Sequence, residues 1–270
     1  MNVITLGPLA LASDRLAAIL GIMVFLVVGS LLAARYDRRL GPWTTTAVLS
    51  GLIAARAAHV LFHIDSFMDE PWRAVYVWQG GFSWIGGLFG VAIATFFLAR
   101  EARKTLPFAA ISLASGLFVW FVFTTLTTSG EGPAAPRFAL ATLDGPQTLS
   151  IADRNGRPAV VNLWATWCPP CRREMPLLAE FAGQPDVDFI FANQGEAAPA
   201  IRAYLGKAGL TLDTVLLDPF SDLSRHYRAV GMPVTVFLNP DGSVETMHFG
   251  EISREALTAA LARILPTDKE

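Results

Sequence analysis

The sequence predicts two folds in one chain: a membrane α-helical region of four transmembrane helices, followed by an α/β domain. The composition is 53% hydrophobic and only 16% charged, whereas an average soluble domain has about 25% charged residues. Only 9 of the 21 Lys and Arg residues, and 6 of the 23 Asp and Glu residues, precede Gly130. After Gly130, short apolar runs alternate with helical ones, which indicates an α/β sheet.

Four apolar stretches predict the membrane helices. Three of them carry no charged residue, and the second carries only Arg56. Each is long enough to span a bilayer, because about 20 helical residues cross a hydrocarbon core of about 30 Å. The predicted spans are residues 16–34, 43–62, 80–99 and 106–128.

Loop charges predict the orientation of the chain. Basic residues follow the first and third spans, in loops 35–39 and 100–104, and short loops rich in Lys and Arg stay in the cytoplasm. We therefore expect an inner (cytoplasmic) membrane protein with both termini on the periplasmic side. A cleaved signal peptide is the alternative for the first span. It is disfavoured because no basic run precedes the span and no small-residue cleavage site follows it.

The predicted organisation has three parts. Residues 1–128 form the membrane domain, residues 129–136 form a linker rich in Gly, Pro and Ala, and residues 137–270 form the α/β domain. The predicted strands are 159–165, 187–193, 214–217, 234–238 and 244–249, and residues 239–242 predict a turn between the last two. The predicted helices are 171–181, 197–208, 222–228 and 254–264.

The two cysteines of the chain, Cys168 and Cys171, follow an apolar strand at the entry of a predicted helix. The N–H groups and partial positive charge of a helix N-terminus stabilise a thiolate at Cys168 and make it a nucleophile. Pro169 and Pro170 suit the first helical positions, where a missing N–H costs little. The pattern predicts a redox-active dithiol.

Two other interpretations of this pair are half of a zinc site and an inert structural disulfide. Zinc requires four ligands, but the chain adds only four histidines, of which His59 and His63 lie in or beside the membrane. A disulfide that closes so short a loop removes little entropy from the unfolded chain. We therefore expect no metal and no cofactor. The net charge of −2 also argues against a nucleic-acid partner.

The sequence Trp167-Cys-Pro-Pro-Cys171 after Val-Asn-Leu-Trp-Ala, with Gly231-Met-Pro-Val-Thr235 further on, resembles thioredoxin-like proteins of the TlpA/ResA type over residues 138–264. The resemblance implies a thioredoxin-like fold with Pro233 cis and beside the dithiol. It also makes Trp167 and Met232 the candidate substrate-binding residues, with Met232 pairing with a substrate backbone. The alternative for Pro233 is an ordinary trans turn before a strand.

The resemblance also implies a mechanism. Cys168 attacks a substrate disulfide, and Cys171 resolves the mixed disulfide. Glu174 matches an acidic residue that ResA-like proteins place near the dithiol, and it lies on the helix face of Cys171. It is a candidate base for the Cys171 proton, or it only complements the helix dipole. Thioredoxin carries a buried aspartate in the preceding strand where this chain has Asn162, which puts weight on Glu174.

The membrane half contains no cysteine, so reducing equivalents are expected from an external membrane reductase. Residues 6–124 resemble the front part of prolipoprotein diacylglyceryl transferase at residues 56–62 and 78–90, although Ile85 stands where that family has histidine. Arg56, His59 and His63 share one helix face. Arg56 and His59 are therefore candidates for binding an anionic lipid headgroup. The alternative is a hydrogen bond from this face to Gln79, Ser83 or a loop carboxylate.

These patterns predict a membrane-anchored periplasmic thiol-disulfide oxidoreductase that reduces disulfides in exported proteins. One alternative is a thiol oxidase of the same fold. The other is a lipid-binding or diacylglyceryl-transferase-like membrane protein with an accessory redox domain. The expected partners are disulfide-containing exported proteins, the membrane reductase and membrane lipid.

Overall fold

The structure, a computed structural model, describes residues 3–6, 9–68, 70–127, 132–154 and 156–265. The chain divides into two compact units. The membrane unit covers Leu11–Ser129, and the C-terminal unit covers Gly130–Glu270 together with Val3–Ala10. The predicted fold class is confirmed, since four long apolar helices precede a mixed α/β domain.

The first elements in the chain are two short strands, β1 and β2, which pair with each other. Five α-helices, α1 to α5, then follow. The bounds are β1 Val3–Leu6, β2 Leu9–Ala12, α1 Ser13–Arg35, α2 Leu40–Phe62, α3 Ile64–Met68, α4 Trp84–Glu101 and α5 Leu106–Thr127, with 3₁₀ turns at Pro71–Val75, Val77–Gln79 and Arg103–Thr105.

Four helical segments are long and apolar enough to cross a membrane: Ser13–Arg35, Leu40–Phe62, Trp84–Glu101 and Arg103–Thr127. They confirm that this is a membrane protein.

The third predicted span began too early, because α4 starts at Trp84 and not at residue 80. Gly80 and Gly81 have φ angles of +82° and +76°, which a right-handed helix does not contain. Ser83 caps the helix instead, and its side chain accepts a hydrogen bond from the Gly86 N–H.

Glycine allows the membrane helices to pack in close pairs. A Cβ atom at Gly90 of α4 would lie 2.2 Å from the Ser50 carbonyl oxygen of α2. A Cβ at Gly116 of α5 would lie 2.7 Å from the Gly21 carbonyl oxygen of α1. Small residues allow this close backbone approach, which drives helix association where lipid removes the hydrophobic effect.

The C-terminal unit is one sheet of seven strands, ordered β4-β3-β7-β6-β5-β8-β9, with helices on both faces. Its strands are β3 Ala139–Thr142, β4 Thr148–Ser150, β5 Ala159–Trp164, β6 Asp188–Gln194, β7 Val215–Asp218, β8 Val234–Leu238 and β9 Val244–Phe249. Its helices are α6 Pro169–Phe181, α7 Ala198–Ala208, α8 Asp222–His226 and α9 Arg254–Ile264.

All five predicted strands and four predicted helices of this unit are present, with shifts of one or two residues at several ends. The helix after the cysteines begins at Pro169 rather than at residue 171, because Cys168 is its N-cap. Strands β3 and β4 were not predicted. Residues 132–136 of the predicted linker pack on this unit, since Ala135 N–H donates to Gly242 at 2.8 Å. The predicted domain boundaries stay a prediction.

Several strands end at one edge of the sheet. Strands β5, β6 and β7 are parallel, so their carboxyl ends lie together. Strand β8 is antiparallel to β5 and begins at the same edge, where Val234 is paired with Leu163. We call this edge, with the loops that leave it, the dithiol edge. Strand β5 is buried along its whole length, so it places its loop rigidly.

Candidate active site

The two cysteines lie in the loop after β5 and form a disulfide, with their Cα atoms 5.3 Å apart. Cys168 is the N-cap of α6, and its sulfur accepts a hydrogen bond of 3.3 Å from the Cys171 N–H. Cys168 is 3% exposed, whereas Cys171 is completely buried. The helix N-terminus thus favours a thiolate on the cysteine that solvent and substrate reach first.

The loop before β8 brings Pro233 to the dithiol edge. The Met232–Pro233 peptide bond is cis, as the resemblance implies. Met232 is half-buried and packs against the core cluster that contains both cysteines. Trp167, on the other side of Cys168, is 66% exposed. The structure therefore brings the predicted substrate-binding residues to the edge that carries the dithiol.

Glu174 is a buried carboxyl group in the second turn of α6, only 1% exposed. Its Oε1 accepts a hydrogen bond from Asn162 Nδ2 at 2.8 Å, and its Oε2 accepts one from the Ile252 N–H at 2.9 Å. Burial raises the pKa of Glu174 to about 8, and this effect outweighs the two hydrogen bonds, which lower the pKa. A carboxyl group with this pKa exchanges a proton near neutral pH.

Asn162 joins this group to the sheet. Its Nδ2 also donates to the Thr235 hydroxyl at 3.1 Å, and the two residues are paired across β5 and β8. Thr235 and Asn162 are both buried beside Glu174. The sequence analysis had singled out Asn162 for the aspartate that it replaces. It had not found Asn162 as a hydrogen-bond donor to Glu174.

An ion pair holds the loop between β9 and α9 against α6. Arg173 Nη2 lies 2.6 Å from Glu251 Oε2, and Arg173 Nε donates to the same oxygen at 2.8 Å. The next residue, Ile252, supplies the N–H that binds Glu174. Sequence reasoning missed Glu251 and Ile252, because they follow α6 by almost eighty residues and belong to no local motif.

A second carboxylate anchors the loop that leads to Cys168. Glu196 accepts hydrogen bonds from the Thr166 N–H at 2.7 Å, from the Thr166 hydroxyl at 2.5 Å and from Asn193 Nδ2 at 2.8 Å. Glu196 follows β6, the neighbour of β5 in the sheet. This contact fixes the chain two residues before the N-cap. It was not predicted, and only knowledge of the strand order would have indicated it.

In the membrane unit, Arg56 binds the loop between α2 and α4 through backbone carbonyls. Its Nε donates to Ala74 at 2.8 Å, and its Nη atoms donate to Arg73 at 2.7 Å, Gly80 at 2.7 Å and Gly81 at 3.0 Å. His59 lies next to this loop, since its Nε2 would be 2.6 Å from a Cβ at Gly81. The printed contacts give Arg56 a role in holding the loop, and lipid binding by Arg56 and His59 stays a prediction.

The described residues contain no group of three or more His, Cys, Asp and Glu side chains that could hold a metal ion.

Comparison with known proteins separates the two halves of the chain. Residues 130–262 match the Redoxin family, and residues 2–120 match the prolipoprotein diacylglyceryl transferase family. Both matches agree with the resemblances found in the motifs.

The similar relatives match the C-terminal half. Thioredoxin-like protein YneN of Bacillus subtilis is 32% identical over 136 residues, which cover 48% of this chain and 78% of that protein. Thiol-disulfide oxidoreductase ResA of Geobacillus kaustophilus is 29% identical over 147 residues, covering 53% and 83%. ResA of Bacillus subtilis is 28% identical over 149 residues, covering 54% and 82%. Through its C-terminal half, this membrane-anchored chain belongs to the thioredoxin-like proteins of the Redoxin family and is a thiol-disulfide oxidoreductase with a Cys-x-x-Cys disulfide.

Proposed function

We propose that this protein reduces disulfides in exported proteins, with Cys168 as the nucleophile and Cys171 as the resolving cysteine. The proposal rests on one observation: the dithiol caps a helix N-terminus directly above a buried, hydrogen-bonded carboxyl group in the same helix. The relatives named thiol-disulfide oxidoreductase support this class of reaction.

The reaction has two exchanges. The Cys168 thiolate attacks one sulfur of the substrate disulfide, forming a mixed disulfide and releasing the other substrate sulfur, which takes a proton. The Cys171 thiolate then attacks the Cys168 sulfur, forming the Cys168–Cys171 disulfide and releasing the second substrate sulfur, which also takes a proton. Two electrons and two protons pass from the dithiol to the substrate.

Glu174 supports the second exchange as a base. It follows Cys171 by three residues and so faces the same side of α6. Its pKa of about 8 lies close to the ordinary thiol pKa of about 8.5. Because the two proton affinities are nearly matched, Glu174 accepts the Cys171 proton with little free-energy cost and returns it later.

The substrate side of the membrane follows from the loops. Basic residues in the loops after α1 and before α5 place those loops in the cytoplasm, so the C-terminal unit faces the periplasm. There it meets exported proteins. Because the two cysteines of the chain are both in the C-terminal unit, a separate membrane reductase regenerates the dithiol. Net thiol oxidation is the competing direction for the same residues, and it requires an external oxidant.

The test is reduction of insulin disulfides by the full-length protein in detergent. Cys168→Ala should abolish the reduction, and Arg56→Ala, in the membrane unit, should leave it unchanged. A Cys168→Ala protein that reduces insulin at the wild-type rate overturns the proposal. Loss of reduction only in Arg56→Ala would support the lipid-protein alternative.

We propose lipid binding as a second candidate function, because the membrane unit holds an apolar cavity of about 410 Å³. All four membrane-spanning helices line it, with Phe25, Val48, Val91 and Leu117 among the contributing residues. Its size is that of small-ligand sites, and the apolar lining suits an acyl chain.

Val48→Trp fills this cavity, and it should lower the amount of phospholipid retained in native mass spectrometry. Leu49→Trp, on the neighbouring exposed position of α2, is the matched control. Equal lipid retention by both variants contradicts this second function.

A further inference from the structure

The C-terminal unit exposes few large apolar side chains, and they share one edge. Among its described residues, four such side chains are exposed: Phe138 at 38%, Trp167 at 66%, Phe220 at 74% and Val230 at 50%. Scattered exposed apolar residues are normal on a protein surface, but a shared location indicates a binding surface.

The sheet order places all four at the dithiol edge. Trp167 precedes Cys168, Phe220 follows β7 by two residues, and Val230 precedes Pro233 by three. Strand β3 is antiparallel to β7 with Ala141 opposite Leu217, and this register, continued, brings Phe138 level with Phe220. From β3 to β8 the four side chains form what we call the apolar row.

Hydrogen bonds between neighbouring loops tie the row together. The Gly195 N–H, after β6, donates to the Asp218 carbonyl of β7 at 2.9 Å. The Thr166 N–H, after β5, donates to Glu196 at 2.7 Å. Phe220 and Trp167 therefore flank one continuous set of loops.

The turn that carries Phe220 is fixed in place. The buried Asp218 carboxylate accepts hydrogen bonds from the N–H groups of Asp222 at 2.8 Å and Leu223 at 2.9 Å. Ser221 adopts a left-handed φ of +54°, which a residue other than glycine rarely adopts. The turn is thus held by buried contacts while the Phe220 ring remains in solvent, so binding would require little ordering of this side chain.

We propose that the apolar row docks an extended apolar segment of the substrate polypeptide next to its disulfide, with Phe220 as a specificity-determining residue. This inference rests on the proposed function, because the dithiol defines the position of the substrate cysteine. The row continues the dithiol site on both sides, so a chain that presents its disulfide to Cys168 passes over it. The chemistry remains the two-step exchange given above.

The dimensions and chemistry of the row select the partner. Strands β3 and β8 are four inter-strand steps apart, which is about 19 Å, or about six residues of extended chain. Folded proteins bury most of their large apolar side chains, so incompletely folded chains offer such a segment beside an accessible disulfide. We therefore assign the row to unfolded or flexible polypeptides.

The experiment uses the pre-reduced full-length protein in detergent and three disulfides. Two are cyclic Cys-x-x-Cys peptides, one flanked by Phe and Leu and the other by Ser and Gln, and the third is hydroxyethyl disulfide. We expect kcat/KM to be about tenfold higher for the apolar peptide than for the polar one, as for one good apolar contact. Phe220→Ser should remove this preference by raising KM, and Phe220→Leu should restore most of it.

The small disulfide is the internal control, because it does not reach the row. Equal reduction of both peptides by the wild type overturns the inference alone, and so does a Phe220→Ser variant that loses equally on all three disulfides. A wild-type protein that reduces none of the three overturns the proposed function as well. Quenching of the added fluorescence in Phe220→Trp by brominated lipids in liposomes would assign the row to the bilayer, and would also overturn it.

Discussion

At the scale of single residues, the proton affinity of Glu174 is the main electrostatic feature of the site. Burial raises its pKa to about 8, while hydrogen bonds from Asn162 and Ile252 oppose that rise. Most Glu174 side chains are therefore protonated at pH 7. A base is most useful when its pKa lies near the working pH, so this environment suits proton exchange with a thiol.

Glu174→Gln tests this residue through stability. Between pH 4.5, the ordinary glutamate pKa, and about 8, the unfolded chain has lost the proton that the folded protein keeps. The wild type therefore loses stability as pH rises through this window, and the glutamine variant does not. We expect the variant to gain on the order of 2 kcal/mol relative to wild type from pH 5 to pH 9. The measurement is hydrogen exchange of β5 at increasing urea, and parallel pH curves would contradict it.

At the scale of elements, the regular strands and helices were predictable, but their long-range partners were not. Strand β5 and helix α6 carry strong apolar and capping signals, so their positions were predicted within two residues. Strands β3 and β4 have only four and three residues and expose part of their side chains, which leaves too little pattern to detect. The contact between Arg173 and Glu251 depends on the tertiary fold alone.

That contact leads to a prediction for the loop between β9 and α9. Arg173 neutralises Glu251, which lies near Glu174, and holds the loop that supplies the Ile252 N–H. Arg173→Met should raise the pKa of Glu174 by about one unit, because both effects favour the carboxylate. The measurement is an infrared titration of the carboxyl band that disappears in Glu174→Gln.

The matched control is Arg172→Met. Arg172 has the same charge and is adjacent in α6, but its guanidinium lies 5.7 Å from the Tyr204 ring centre. Its loss should leave the Glu174 midpoint unchanged. Equal shifts in the two variants would show that general charge near the dithiol, and not the Glu251 contact, sets the pKa.

At the scale of the whole molecule, composition alone predicted the division into a membrane half and a redox half. Both cysteines lie in the C-terminal half, and four candidate spans precede them. The membrane part of the site was less predictable. The Arg56 guanidinium binds backbone carbonyls, which carry no sequence signal, instead of the side chains that the pattern suggested.

The orientation of the molecule is testable with fusions. Alkaline phosphatase folds only where disulfides form, so a fusion after Ile264 should be active in cells. A fusion within the basic loop after α1 should be inactive, at least tenfold below the first. An inactive and stable C-terminal fusion would place the dithiol in the cytoplasm and contradict the periplasmic assignment.

The central claim is that Cys168 attacks and Cys171 resolves, and trapping tests it most directly. In cells that express full-length Cys171→Ala, Cys168 should accumulate in mixed disulfides with other proteins, visible as reducible bands on non-reducing gels. Cys168→Ala, at equal expression, should show none. Mixed disulfides that form in Cys168→Ala, or that are absent from Cys171→Ala, would contradict the account.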